Sequence, residues 1–193
     1  MHKIILASNS KVRKKILDEN EIECKVFPSN IDEESVKKSL LKENASPEII
    51  SKNLAELKAN RISLKFNNEI VLGADSVIDV NNELVSKPKN RAEAFKNLKK
   101  LNGKTHYLIS SVCISKNGSM IWNYTDKAAL TMREMTEEEL KDYLLKITDE
   151  ALYAYNVYQI EGEGRTLFSK IEGEEDTVMG LPLKQIKEYL KNF

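Results

Sequence analysis

Residues 69–85 read EIVLGADSVIDVNNELV, and the reading of this stretch decides the fold class. The run Ile70–Leu72 is continuous and apolar, as a strand buried on both faces is. Glycine and an acid follow at Gly73-Ala74-Asp75, and the strand pattern extends to Val80. Asn81-Asn82 is turn chemistry, so Glu83–Val85 is expected to come back as the second arm of a hairpin.

Upstream, residues 3–7 (KIILA) are short and apolar and predict a buried strand. Ser8-Asn9-Ser10 is cap chemistry, with Ser10 the expected N-cap of a helix over KVRKKILDEN whose stripe is Val12, Ile16 and Leu17. Cys24–Phe27 is a second strand, ended by Pro28. Residues 33–66 read as helical; Pro47 starts a new helix with Ile50, Leu54, Leu57 and Ile62 inward.

Downstream, residues 91–101 form an amphipathic helix with Ala94, Leu98 and Leu101 inward, stopped by Asn102-Gly103. Tyr107–Ser115 and Met120–Met132 are strands joined at Lys116-Asn117-Gly118. Thr136 to Glu139 is a capping box that opens a helix to about Lys146. Arg165–Ile171 predicts a strand, and Leu183–Leu190 a last helix. Strands and helices alternate at the start and antiparallel pairs occupy the middle. The expected fold is therefore α/β, a mixed twisted sheet with flanking helices, and two lobes around a cleft fit that order.

The 193 residues suit one large domain or two small lobes. Lys plus Arg and Asp plus Glu stand at 30 each, and a chain without basic excess is a poor binder of nucleic-acid polymers. Cys24 and Cys113 lie far apart with no CxxC or Cys/His cluster, which argues against zinc and for a reduced, cytoplasmic protein. The run Ile4–Ala7 is too short for a signal peptide, and no stretch nears the roughly 20 apolar residues that cross a bilayer. No membrane partner is expected.

Four stretches carry residues suited to chemistry. Ser8 and Ser10 sit at an expected helix N-terminus, where free N–H groups and partial positive charge favour an anion, and Arg13 and Lys14 add charge; a plain helix cap is the plainer reading. Asp75 follows an apolar strand, where an acid is rarely buried without a partner; it is a candidate Mg²⁺ ligand or general base, or else a turn residue ending the strand. Lys87, held extended by Pro88, is a candidate phosphate contact or a solvated loop lysine. Glu161 lies in a glycine-rich segment and is a candidate for a metal or a base edge, or part of a flexible loop. Asp32, Glu33 and Glu34 precede a helix, where negative charge suits the dipole, with metal binding the minority reading. His2 falls near the terminus and His106 at a strand start, not as a dyad. Both cysteines read as packed side chains. Tyr153, Tyr155 and Tyr158 offer stacking surfaces for a base, or half-buried strand positions.

The order of these blocks is more telling than any one of them. ILASNSKVRKKIL, PSNIDE, LAELKA, GADSV, SKPKN, LNGKTH, IEGEG and MGLPL resemble the Maf family of nucleoside triphosphate pyrophosphatases over essentially the whole chain, 1–193, as one Maf-like domain. The resemblance implies hydrolysis of a nucleoside triphosphate to the monophosphate and pyrophosphate with a divalent cation, Mg²⁺ or Mn²⁺. It implies Asp75 as general base, Ser8, Ser10 and Arg13 on phosphates, and Glu33, Lys58 and Lys87 at the remaining charged positions. Glu33 and Asp75 would hold the metal. A homodimer is compatible with it.

Two departures stand out. The Pro-Arg-Arg run common in the family is Lys11-Val12-Arg13 here, and Glu161 stands where the family usually has glutamine. Glu161 followed by Gly-Glu-Gly and Thr166-Leu167-Phe168 looks like the branch that prefers 7-methyl-GTP, whose methylated guanine carries positive charge. The alternative reading is a non-catalytic nucleotide-binding regulator of cell division or septum formation, for which those departures would mark a degenerate site.

Overall fold

The computed structural model describes residues 3–154 and 156–192. His2 and Tyr155 lie outside the described residues, as does the side chain of Tyr153. The chain divides into two compact units. One comprises residues 1–77, 109–127 and 174–193, and the other 78–108 and 128–173.

The first unit is built on β1 (Ile4–Leu6), which runs parallel to both β2 (Cys24–Val26) and the start of β3 (Ile70–Val80). Flanked on both edges, β1 is fully buried, which its unbroken apolar run predicted. Even-numbered residues Ile4, Leu6, Ile70, Leu72 and Ala74 pack with Ile16 and Leu17 of α1 (Lys11–Glu19) and Leu183, Ile186 and Leu190 of α8 (Leu183–Lys191). Odd-numbered Ile5 and Val71 turn to the other face and meet Ile62 of α3 (Pro47–Ser63). This is strand alternation at work.

Three helices start where the sequence offers a capping side chain. Ser10 accepts from the Arg13 N–H, Asp32 from Ser35 at the head of α2 (Glu33–Lys42), and Ser46 from Ile49 before α3. The helical stretch 33–66 is thus two helices. Leu57 is exposed rather than inward (42 %): the buried row of α3 runs Ile50, Leu54, Lys58, Ile62, and a lysine occupies the slot that apolar pattern reading had assigned to a leucine.

In the second unit, Asn81 and Asn82 have φ of 54° and 63° and turn β3 into β4 (Glu83–Val85), the left-handed pair a tight hairpin requires. Helices α4 (Arg91–Leu101) and α5 (Glu137–Lys146) follow the sequence reading, including the full capping box at Thr136. Strand β7 covers Phe168–Glu172 only and pairs antiparallel with the end of β6 (Ser119–Met132). Residues 165–167, expected in that strand, fall in the 3-10 turn Glu163–Leu167 instead. Two short helices, α6 (Asp149–Ala154) and α7 (Glu175–Val178), went unread. With β5 (Thr105–Lys116), the strand order is β2-β1-β3-β5-β6-β7, and β4 pairs β3. The fold is a mixed α/β sheet of seven strands with flanking helices, as expected.

Candidate active site in the first unit

Asp75 does not end its strand. It is the sixth residue of β3's eleven and is buried, so the turn-aspartate reading falls. Its side chain shares a face with Gly73, and that face packs directly on α3. A Cβ at Gly73 would stand 2.2 Å from the Ala55 carbonyl oxygen and 2.7 Å from the Ala59 nitrogen. Glycine is what lets helix and strand approach so closely. The approach brings Lys58, beside Ala59 on α3, onto Asp75.

The Lys58 Nζ donates to Asp75 Oδ1 at 2.7 Å and pairs with Glu33 Oε1 at 2.8 Å. It also lies 3.5 Å from the Ala74 carbonyl. Lys58 and Asp75 are 6 % and 5 % exposed, so neither charge is solvated by water and each needs the other. Ser51 Oγ donates to the Asp75 carbonyl at 3.1 Å. The other carboxylate oxygen, Oδ2, is buried and has no hydrogen-bond partner. A buried, unsatisfied carboxylate oxygen calls for a ligand or a functional reason.

Arg13 reaches the same strand from the opposite face. Its Nε donates to the Gly180 carbonyl at 2.9 Å. Its Nη1 donates to Ser8 Oγ at 3.1 Å and to the Ala74 carbonyl at 3.0 Å, and its Nη2 to Ser76 Oγ at 2.9 Å. Four of the five donors of a guanidinium are thereby engaged with the protein. Burial lowers the guanidinium's pKa, while the negative charge of Asp75 and Glu33 raises it. Ser8 Oγ also accepts from the Ser10 N–H at 3.3 Å, and Ser10 Oγ accepts from the Arg13 N–H. Ser10 is the helix cap the sequence predicted, and it fixes the start of α1 beside Ser8.

Ser8, Ser10, Arg13, Glu33, Lys58 and Asp75 therefore come together in one unit, by a chain of hydrogen bonds and ion pairs. Lys87 and Glu161 belong to the second unit, and both are exposed. Their two loops are stitched to each other. Buried Asn156 donates from its Nδ2 to the Val85 carbonyl at 3.0 Å, and Asn97 Nδ2 donates to the Ser86 carbonyl at 2.9 Å. Tyr158 is buried and hydrogen-bonded to His106 at 2.9 Å, so it supports the Glu161 loop from within and offers no stacking face. Both cysteines are buried and free.

Several residues escaped the sequence reading. Ser76 continues to Ser110 Oγ at 2.9 Å, and Ser110 donates to the Thr177 carbonyl. Gly180 has φ +92°, and a Cβ there would lie 2.9 Å from Ser76 Oγ. Gly180 stood inside the MGLPL block, which marked the segment but not its contact with Arg13. Ser110, Asn97 and Asn156 carried no signal that would have singled them out.

Among the described residues no group of three or more His, Cys, Asp or Glu gathers as a ready cation site. Glu33 and Asp75 with the unpartnered Oδ2 do fit a hard divalent ion that takes one or two carboxylates and completes its shell with substrate phosphates.

A family model described as Maf-like protein matches residues 3–193. The chain belongs to the Maf family. Among curated Maf-like relatives, a nucleoside triphosphate pyrophosphatase of Pelagibacter ubique is 72 % identical over 97 % of this chain and 96 % of its own. A 7-methyl-GTP pyrophosphatase of Rhizobium etli is 36 % identical over 94 % and 91 %. Among solved structures, a HAM1 protein from Coxiella burnetii has a TM-score of 0.47 at 16 % identity over 68 % of this chain and 73 % of that one, too distant a likeness to bear on the chemistry. No helix of this Maf-like chain is long and apolar enough to cross a membrane, among the described residues.

Proposed function

We propose that the chain is a nucleoside triphosphate pyrophosphatase, which hydrolyses a (d)NTP or modified nucleotide between the α and β phosphates to the monophosphate and pyrophosphate. One observation carries the reading: a buried aspartate whose Oδ1 is clamped by lysine and whose Oδ2 is unpartnered. A general base needs that asymmetry, one oxygen to fix the carboxylate and one to take a proton from water.

In this reading Lys58 and the Ser51 contact hold Asp75 in place, and Oδ2 accepts the proton of a water directed at the α-phosphorus. Ser8, Ser10 and the first N–H groups of α1 face the polyphosphate, with Lys58 and Arg13 opposing the charge that builds on leaving pyrophosphate. Glu33 and Asp75 would hold Mg²⁺ or Mn²⁺, which would supply Lewis-acid stabilisation of phosphate oxygens. Glu161 reads the base, and its carboxylate suits the cationic ring of 7-methylguanine; 7-methyl-GTP is the first substrate to try, with UTP, CTP and dTTP beside it. The substrates are free nucleotides of the cytoplasmic pool, which fits a chain without net positive charge.

The test is pyrophosphate release from that panel by the purified chain and by Asp75→Asn. The native chain is expected to release pyrophosphate from at least one triphosphate. Asp75→Asn should retain nucleotide binding and lose turnover by about 10²-fold or more. Tight binding with no product from the native chain would indicate a regulator instead, and wild-type turnover by Asp75→Asn would remove Asp75 as the base.

A further inference from the structure

Lys58 occupies the place between Glu33 and Asp75 where a cation held by both carboxylates would sit. Its Nζ lies 2.8 Å from one and 2.7 Å from the other, with the Ala74 carbonyl at 3.5 Å. An ammonium has three donors, and three oxygens surround this one. The side chain is nearly buried, on the helix face that Gly73 draws against β3.

The local charge count then decides what else can enter. Among these side chains, two carboxylates and one ammonium carry a net charge of minus one, and the Arg13 guanidinium, which feels both carboxylates, offsets it. A divalent ion added alone would leave two uncompensated positive charges in a region where Lys58 and Asp75 are buried and Arg13 and Glu33 half-buried, an arrangement that low dielectric penalises heavily. A polyphosphate brings several negative charges and reverses the balance.

We propose that Lys58 is a built-in counter-cation that keeps the Glu33–Asp75 pair closed to free divalent metal, so that metal enters the site only together with a polyphosphate. The inference rests on the pyrophosphatase reading for the identity of the anion. Metal and anion then bind with positive coupling, and the coupling is reciprocal. It also gives Asp75 its resting state: Oδ1 stays paired before substrate arrives, and only Oδ2 is unpartnered.

The experiment is Mn²⁺ binding to the purified full chain without nucleotide, read from the electron paramagnetic resonance signal of free Mn²⁺. The native chain should bind weakly. Lys58→Met, which keeps the length of the side chain and removes the charge, should bind at least about tenfold tighter, a difference of about 1.4 kcal/mol. Lys58→Arg should stay weak, and Lys58→Met combined with Glu33→Gln should become weak again. Equal affinity in Lys58→Met and the native chain overturns the proposal.

A measurement on the native chain covers the case in which Lys58→Met does not fold. Its melting temperature should be unmoved by millimolar Mn²⁺ alone. Mn²⁺ with inorganic tripolyphosphate, which presents the polyanion without a base, should raise it by more than the two separate effects combined. A rise with Mn²⁺ alone equal to the rise with both overturns the proposal. Pyrophosphate release is assayed in parallel: turnover with no Mn²⁺ gain in Lys58→Met sinks the counter-cation alone, whereas no turnover from any nucleotide sinks the enzyme reading.

Discussion

Gly73→Ala tests the contact on which the whole site is suspended. The new methyl carbon would lie 2.2 Å from the Ala55 carbonyl oxygen, 2.7 Å from the Ala59 nitrogen and 2.9 Å from the Ala59 Cβ. Two of these are helix backbone atoms, which cannot rotate aside, so α3 must move off β3 by about 1 Å to reach ordinary contact. Overpacking of this kind costs up to about 3 kcal/mol. The methyl contributes about 0.8 kcal/mol of burial, and replacing a strand glycine adds about 0.5 kcal/mol through the unfolded chain. The net loss is about 2 kcal/mol, which for a chain of this size lowers the melting temperature by about 4–8 °C.

The same shift draws Lys58 away from Asp75. Their 2.7 Å contact would open beyond hydrogen-bond reach, and an error of about 1 Å at a reacting group can cost about 10²-fold in rate. Scanning calorimetry and pyrophosphate release measure the two effects on one preparation. Gly162→Ala is the control, because a Cβ there meets only the Gln159 carbonyl at 4.0 Å. Should Gly73→Ala melt with the native chain and turn over at its rate, the close packing of α3 on β3 does not hold Lys58 in place and the argument fails.

Arg13→Lys replaces a fork with a point charge and leaves the Gly180, Ala74, Ser8 and Ser76 oxygens to share one ammonium; urea unfolding should show a loss of about 2–4 kcal/mol. His106 is fully buried, and burial pushes its imidazole down to about 4 from an ordinary 6.5. The unfolded chain therefore takes up a proton that the folded chain refuses. The stability this neutral ring contributes is present above pH 6.5 and is lost as pH falls toward 4, by about 3 kcal/mol in all. Urea titrations at pH 7, 5.5 and 4 should show the native chain losing that much more stability across the range than His106→Gln, and parallel curves would refute the assignment.

Local pattern carried much of the fold. Caps at Ser10 and Thr136 were legible because a capping side chain acts within three residues of itself. The hairpin at Asn81-Asn82 was legible for the same reason. The misses are places where a distant partner decides. Leu57 and Lys58 are neighbours on α3, and hydropathy alone turns the leucine inward; the charged side chain is inside because Asp75 and Glu33 are there to receive it. Arg165–Leu167 has strand composition, yet β6 offers pairing only from Phe168 onward.

By itself the sequence determined the kind of protein: a mixed α/β sheet, a set of acidic and basic residues in the order of the Maf family, and Asp75 as the residue to watch. These follow from periodicity, turn chemistry and residue type, all of them properties of short stretches. Only the tertiary structure decided what each charge does. It put Lys58 between Glu33 and Asp75, engaged Arg13 with four protein oxygens, and left one oxygen of Asp75 without a partner. Such pairings join residues far apart along the chain, and the energy that selects them is the cost of burying a charge alone, which exists only once the helix has closed on the strand.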